Sequence, residues 1–409
     1  SGAVLPILKI LDTYDVNISY INSSSDGSDY QNFIMGLLIE NPKIIKMLLD
    51  DISSLYQIDI IDYDDSEKSL DNTIFYIRLA NEMQKLFDLS TETTMEFISE
   101  SNRILQILQE KGESPFKVFD YIRRFAYFIS RHKGPEFKAD IEKLEISESL
   151  TLYCIQPPCG SNTYIMDTPE QLAIIDTGYA IYEAEMFNIF KNLFPDWEKK
   201  NKTVYITHTD VDHCGLLSKI ENIKIYLNEK SADSLIRQYK GIPDYREKND
   251  LGFGYSKLSR IISGYIPPSP DKFEILDRGT PREHSELLQI GNFTIADLEF
   301  EVLEGSGGHI YGEMVFVCRK YGIIFTGDIL VNISGFSTEL AEFNSLAPFL
   351  MRSVNVDSKK ATLMRKKVIH IAEQIGNTNG KPCIICGGHG PISIIQDGKI
   401  VKSIQDPGI

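Results

Sequence analysis

The sequence predicts a mixed α/β protein built from more than one folded unit. The chain has 409 residues, more than one domain usually contains, and 42% of them are hydrophobic, which is enough for a sizeable core. Short apolar strands alternate with segments whose apolar residues recur every three or four positions, as in helices. Several strands run directly into a histidine or an aspartate beside a glycine. The sequence thus combines strands with helices, and its polar side chains lie at strand ends, where the strand holds a functional group rigidly.

Charge and composition exclude several classes of function. Asp and Glu number 58 against 42 Lys and Arg, a net charge of −16, and so acidic a chain is repelled by nucleic acid and by anionic lipid. No apolar run approaches the ~18 residues of a membrane helix, and no secretory signal pattern opens the sequence, so we expect a cytoplasmic protein. The six cysteines are scattered and expected to be reduced, with Cys383 and Cys386 in a buried strand.

Residues 1–65 form the first predicted unit. They contain 3 Lys and Arg against 11 Asp and Glu, so half of the negative excess lies here. The hydrophobic pattern predicts, in order, a helix at 4–11, strands at 16–21 and 33–39, a helix at 41–52 and a strand at 58–61. Asn41 and Pro42 are typical of the start of that second helix.

This order, with residues 2–5 and the run at 16–18, resembles an ACT domain, a small ferredoxin-like module that often binds amino acids and regulates enzymes. The resemblance implies a regulatory module with a ligand site near Gly2. It also implies pairing across subunits, so we expect a homodimer. A purely structural module that only dimerises the chain is the alternative.

Residues 66–145 are predicted to be a helical connector. Apolar residues recur at helical spacing over 74–87, 95–108 and 118–129, with Pro115 in the first turn of the third helix and Gly134 and Pro135 after it. These amphipathic helices need a surface to cover, so the dimer is expected to form through residues 1–133.

The residues that carry chemistry fall in the third segment, 146–409. A strand at 204–206 runs into a stretch with four potential metal ligands within six residues. They are His208, Asp210, Asp212 and His213. The first three point to one side of an extended chain, and a bend turns the fourth towards the same space. A solvated polar loop is the alternative interpretation.

Three later strands repeat this arrangement and weaken that alternative. His309 follows a strand at 300–303, Asp328 ends a strand at 323–327, and His389 follows a strand at 384–386. Each has a glycine beside it, which lets the backbone approach an ion closely. The other histidines, His132, His284 and His370, are expected to be ordinary surface or packing residues.

Taken together, these motifs resemble the metallo-β-lactamase superfamily over residues 146–400. The resemblance implies an αββα sandwich with two metal ions at one edge. Carried over, His208, Asp210 and His309 would hold the first ion, Asp212, His213 and His389 the second, and Asp328 would bridge them. Asp176 would support the site without ligating. Asp212 is the expected catalytic residue because it would orient the hydroxide nucleophile.

Asp210 departs from the common hydrolase pattern, which has His at that place, whereas the flavodiiron branch carries a carboxylate. Two divalent ions bound by three carboxylates would leave one excess positive charge at the site. With His at position 210, only two carboxylates would remain and the excess would be two positive charges. The extra carboxylate favours iron or manganese, although zinc remains possible. Hydrolysis of a small-molecule substrate is the leading hypothesis. A diiron protein that binds dioxygen or nitric oxide, with a separate electron donor, and a non-catalytic amino-acid sensor are the alternatives.

The stretch 237–270 interrupts the sandwich pattern with aromatic residues, glycines and two prolines. It is expected to be either a lid over the metals or a packing loop.

Overall fold

The structure is a computed structural model that describes residues 4–25, 31–39, 41–61, 68–247, 250–276, 282–283, 287–351 and 355–403. The chain divides into two compact units, Ser1–Phe119 and Asp120–Ile409. The boundary falls inside the third helix of the predicted connector. The three predicted segments with bounds at 65 and 145 stay a prediction.

The first unit opens with a helix, two strands and a second helix. Their bounds are α1 Leu5–Thr13, β1 Asn17–Ser25, β2 Gln31–Leu38 and, after a 3-10 turn at Pro42–Ile44, α2 Ile45–Ser53. The strands pair antiparallel, and Leu11, Val16, Leu48 and Ile52 form the buried core beneath them. This is the small antiparallel sheet expected of a ferredoxin-like module. The predicted ligand position, Gly2, lies outside the described residues.

The strand predicted at 58–61 is wrong, because this segment has no regular structure. Side chains of the following helix bind its carbonyl groups instead of a neighbouring strand. The Asn81 amide donates to the Ile58 carbonyl at 2.7 Å, and the Arg78 guanidinium donates to the Ile60 carbonyl at 3.4 Å. An apolar β-branched run therefore stayed extended without joining the sheet.

The predicted helices of the connector are confirmed. They are α3 Lys68–Phe87, α4 Thr91–Glu110 and α5 Pro115–Arg131. The Ser90 hydroxyl caps α4 by accepting from the Thr93 backbone N–H at 3.1 Å. A 3-10 turn at Gly134–Glu136 ends this region, where glycine and proline were expected to stop the helix.

The described residues of the second unit form two β-sheets, confirming the predicted sandwich. The first has seven strands in the order of the chain, β3 Asp140–Ser147, β4 Leu150–Gln156, β5 Thr163–Asp167, β6 Gln171–Ile175, β7 Asn201–Tyr205, β8 Ile223–Leu227 and β9 Phe273–Ile275. The second has eight, β10 Arg282–Glu283, β11 Leu288–Ile295, β12 Leu298–Glu304, β13 Met314–Cys318, β14 Ile323–Gly327, β15 Ile384–Gly387, β16 Ser393–Gln396 and β17 Lys399–Lys402. Cys386 is a buried free thiol in β15, as expected, whereas Cys383 is a buried free thiol directly before that strand.

Aromatic rings fill the space between the two sheets. Tyr164 packs edge-on against Phe325 at 5.3 Å, and Tyr205 stacks on Phe293 at 4.1 Å. The helices of this unit are α6 Glu183–Leu193, α7 Glu229–Tyr239, α8 Asp250–Ser263, α9 Thr338–Met351 and α10 Ser358–Asn379. Helix α10 buries Val368 and Ile371 in a core cluster with strands of the second sheet, including Ile324.

Strand direction decides where the site forms. Strands β6, β7 and β8 run parallel, as do β14 and β15. The carboxyl ends of parallel strands lie at one edge of a sheet, so the loops after β6, β7, β14 and β15 meet at one edge of the sandwich. In the described part of the chain, no helix combines the length and apolarity that crossing a membrane requires.

Candidate metal centre

Six of the seven predicted ligands form two groups at this edge. His208, His309 and Asp328 make the first position, and Asp212, His213 and His389 make the second. Within each group, one ligand atom from each residue lies within 4.8 Å of the others. Such spacing suits nitrogen and oxygen ligands around a divalent ion.

Asp328 joins the two positions. Its Oδ1 lies 3.3 Å from Nε2 of His213 and 3.3 Å from Nε2 of His389, while its Oδ2 lies 3.5 Å from Nε2 of His309. The carboxylate thus presents one oxygen to each position. It follows β14 directly, so the strand fixes its place between the two groups.

The four histidines all turn Nε2 towards the centre, because each engages its Nδ1 elsewhere. Nδ1 of His208 lies 3.0 Å from the Thr207 hydroxyl, and Nδ1 of His213 lies 2.8 Å from Oδ2 of Asp176. The corresponding partners are the Asn355 carboxamide oxygen for His309, at 3.1 Å, and the Gly160 carbonyl for His389, at 2.9 Å. An acceptor at Nδ1 fixes the tautomer whose Nε2 carries a free lone pair.

Within the described residues, three buried polar atoms of this centre have no hydrogen-bond partner. They are Nε2 of His208, Nε2 of His213 and Oδ1 of Asp328. Leaving such atoms unpaired in a protein interior costs roughly 1–3 kcal/mol each, so their convergence needs a compensating group. Cations satisfy all three at once, and the donor set of imidazole nitrogens and carboxylate oxygens suits zinc, iron or manganese.

Asp176 supports both histidines of the loop after β7. Its carboxylate accepts from the Thr207 backbone N–H at 2.8 Å, from the Thr207 hydroxyl at 2.7 Å and from His213. Asp176 has a left-handed backbone with φ of 57°, which these hydrogen bonds compensate. The structure thus places Asp176 behind the ligands, in the supporting role that the sequence predicted.

Two supporting residues were missed by sequence reasoning. The Glu313 carboxylate accepts from four successive backbone N–H groups, those of residues 307–310, at 2.8–3.3 Å, and so shapes the loop that carries His309. Asn162 donates from its amide to the carbonyls of Gly387 and Gly390 and holds the loop that carries His389. Neither residue has a signal in the sequence that marks its partner.

Asp210 behaves differently from the other predicted ligands. Its Oδ2 lies 3.3 Å from Nε2 of His309 and 3.6 Å from Nε2 of His208, so it borders the first position. However, Arg246 forms hydrogen bonds to both oxygens of this carboxylate, with Nε donating to Oδ1 at 2.8 Å and Nη2 donating to Oδ2. Arg246 was also missed by the sequence analysis. Metal ligation by Asp210 stays a prediction.

The pKa shifts reflect the dense charge of the centre. Burial alone would raise the pKa of Asp210, but the Arg246 guanidinium and the His208 and His309 rings outweigh it and hold that pKa well below its usual range. Burial favours the neutral ring of His213, yet Asp328, Asp176 and Asp212 overcome it and raise its pKa well above the ordinary value. Carboxylates therefore dominate the potential at this imidazole, which favours a bound cation.

A cavity of about 330 Å³ opens beside the centre. Asp210, Asp212 and Arg246 line it together with other polar residues, and most of its wall area is apolar, with Phe125 and Leu251 among the apolar residues. Residues 238–262 contribute much of this wall, so the stretch of 237–270 that the sequence singled out borders the site. Its function as a lid stays a prediction.

Comparison with known proteins identifies the family. The model of the metallo-beta-lactamase superfamily matches residues 156–369, more than half of the chain. The chain belongs to this superfamily. No curated protein sequence matches it.

Several solved structures resemble the chain. AidC, described as a dizinc quorum-quenching lactonase in complex with a product, has 14% identity and a TM-score of 0.42, covering 65% of this chain and 98% of AidC. A metallo-beta-lactamase from Pontibacter korlensis has 16% identity and a TM-score of 0.35, with coverages of 62% and 93%. An archaeal superfamily protein from Sulfolobus tokodaii has 15% identity and a TM-score of 0.35, with coverages of 59% and 80%.

Two further histidines and one cysteine of the described residues are not members of the ligand groups. His132 packs its ring against Phe128 at 4.8 Å, and His370 is exposed on α10. His284 lies outside the described residues. Cys214 is buried and donates weakly to the His208 carbonyl at 3.4 Å, which is a packing contact.

Proposed function

We propose that this superfamily member is a hydrolase that depends on two divalent metal ions and acts on a small molecule. The observation that carries the proposal is the convergence of three buried, unpaired ligand atoms, on His208, His213 and Asp328. Structural ion pairs in proteins satisfy their polar atoms within the chain. Atoms left unpaired at one point of a strand-edge site indicate a bound cation.

Different side chains of the centre have different roles in the proposed reaction. His208 and His309 would hold the first ion, His213 and His389 would hold the second, and Asp328 offers one oxygen to each position. Ions bound there would supply a nucleophilic water near neutral pH and polarise the scissile group. Oδ2 of Asp212 lies 3.5 Å from Nε2 of His389, and Asp212 lines the cavity, where its carboxylate can orient the attacking water and hold its proton.

Arg246 favours hydrolysis over the diiron alternative. That alternative depended on Asp210 as an extra negative charge at the first position. With the guanidinium bound to Asp210, the pair is formally neutral and equals an imidazole in charge. In that state the first position lacks the extra negative charge on which the argument for iron rested.

The cavity indicates the general character of the substrate. Most of its exposed wall is apolar, and Asp210, Asp212 and Arg246 are among the polar residues that line it. A molecule with an apolar part and one hydrolysable ester, lactone, amide or phosphoester group fits this division. The acidic chain makes a nucleic acid substrate unfavourable.

The test is metal analysis combined with a substrate panel. Protein purified anaerobically without added metal should contain close to two ions per chain and hydrolyse at least one ester, lactone or phosphodiester. Asp328→Ala should lose at least one ion and reduce turnover by about 100-fold or more, since it removes the shared ligand. Glu299→Ala, a change at an acidic residue on β12, is the control and should retain both. A metal content near zero in the unaltered protein would refute the proposal.

A further inference from the structure

The contact between Arg246 and Asp210 places a positive charge beside the first metal position. The guanidinium binds both oxygens of the carboxylate, the bidentate geometry that makes an arginine pair strong. Its Nη2 also lies 3.4 Å from Nε2 of His309. One arginine nitrogen thus approaches two ligand atoms of the same position.

An ion at the first position would need those same atoms. Nε2 of His309 has a single lone pair, because its Nδ1 carries the proton that faces Asn355. That lone pair can serve either the arginine N–H or an ion. A divalent ion close to the guanidinium would also meet direct charge repulsion. Arg246 and the ion therefore compete.

The second position is built differently. The hydrogen bonds and ion pairs of the described residues bring no arginine or lysine to Asp212, His213 or His389. Three carboxylates, those of Asp212, Asp328 and Asp176, lie within 4 Å of the His213 ring nitrogens. The second position is consequently the more negative of the two.

The position of Arg246 allows its side chain to move away from Asp210 and His309. Its side chain is 16% exposed, and it lies between α7 and α8, where it lines the cavity. A turn of its side chain into the cavity would free Asp210 and His309 without moving a strand. The first position would then gain Asp210 as a further ligand.

We propose that the two ions bind in order, the second position first, and that Arg246 sets the weaker affinity of the first position by competing for Asp210 and His309. This inference rests on the proposed metal-dependent function. With one ion bound, the guanidinium takes the place of the first ion. At low metal concentration the chain then holds one ion at the second position, and the Arg246 guanidinium remains at the first.

The experiment is a titration of metal-free protein with Co²⁺, followed by calorimetry and by visible absorption. The unaltered protein should show two binding phases separated by at least about 10-fold in affinity. Arg246→Ala should tighten the weaker phase by roughly 10-fold or more, because it removes the competing positive charge, and leave the tighter phase unchanged. Arg246→Gln, which keeps the length but not the charge, should act in the same direction if the alanine variant folds poorly.

Arg260→Ala is the matched control. Arg260 lines the same cavity but pairs with Glu247 at 3.6 Å, so its removal should leave both phases as they were. The proposal is overturned if the two phases of the unaltered protein have equal affinity, or if Arg246→Ala weakens the first position. The latter result would mean that Arg246 holds Asp210 in place as a ligand.

Failure of this inference and failure of the proposed function give different results. Two equal phases in a protein that hydrolyses its substrate would refute ordered binding alone. Ordered binding in a protein without hydrolytic turnover on any substrate of the panel would refute the hydrolase alone.

Discussion

At the scale of single residues, the centre depends on a glycine that contributes no ligand. A Cβ on Gly388 would lie 2.1 Å from Oδ1 of Asp328 and 2.8 Å from Cε1 of His213. No side chain fits between these two groups. The glycine beside His389 was predicted to allow close approach to an ion, and the structure shows that it admits a ligand carboxylate.

We therefore expect Gly388→Ala to displace Asp328 and to remove at least one ion. The physical cause is overlap of the new methyl group with the shared ligand. Metal content by elemental analysis measures it, with the melting temperature as a check on folding. Gly376→Ala in α10 is the control, because its Cβ meets only ordinary contacts from 3.4 Å and should stabilise the helix by about 0.5–1 kcal/mol. Normal metal content in Gly388→Ala would contradict this account.

Glu313 gives a second prediction at this scale. Its carboxylate binds four backbone N–H groups, and it is buried at 2% exposure. Glu313→Ala should leave these donors unpaired and destabilise the protein by about 3 kcal/mol or more, measured by urea unfolding. Affinity for the first ion should fall as the His309 loop relaxes. Glu170→Ala, at an exposed turn, should change neither.

At the scale of secondary structure elements, helix α10 braces the strands that deliver ligands. It covers β14 and β15, whose ends carry Asp328 and His389, through a buried stripe that includes Val368, Ile371 and Ile375. Asp357 caps the helix by accepting from the backbone N–H groups of residues 359 and 360 at 3.0 and 3.1 Å. The packing of one helix thus supports the shared ligand and a ligand of the second position.

Ile371→Ala should lower the free energy of unfolding by about 2–5 kcal/mol, because it leaves a cavity under the strands. Denaturant unfolding of the metal-free protein measures this effect apart from metal binding. Leu363→Ala, on the exposed face of the same helix at 50% exposure, should change stability by less than about 0.5 kcal/mol. Equal effects of both substitutions would refute the role assigned to this stripe.

At the scale of the whole molecule, the N-terminal region is the proposed site of assembly and regulation. Among the described residues, its small sheet has two strands and exposes Tyr20, Ile21 and Ile34. Exposed apolar residues on a small sheet suit pairing with a second copy. The proposal is a homodimer through residues 1–133, with an amino acid as the effector of the ACT-like module.

Light scattering on the full chain should give twice the monomer mass, 92.8 kDa from a chain of 46.4 kDa. Tyr20→Lys together with Ile34→Lys should yield monomers, whereas Lys399→Glu on β17 should not. Thermal shift against the twenty amino acids tests the effector, since binding raises the melting temperature with ligand concentration. A monomeric wild-type chain would refute the dimer. If none of the twenty stabilises a dimeric chain, the structural module is the correct interpretation.

The sequence by itself determined the αββα unit and the clustering of its ligands, because strand ends and glycines are local features. Neighbouring parallel strands then bring their carboxyl ends to the same edge of the sheet, and this does not depend on the details of side-chain packing. Regular amphipathic helices such as α4 and α5 were predictable for the same reason.

Only the tertiary structure decided the partner of Asp210, the contacts of Glu313 and Asn162, and the absence of a strand at 58–61. Arg246 is 36 residues from Asp210 along the chain, and Asn162 is 228 residues from Gly390. No local pattern encodes such contacts, because they depend on which loops the fold brings together. The segment at 58–61 has strand propensity, yet side chains of α3 bind its carbonyls, so tertiary hydrogen bonding overrode the local preference.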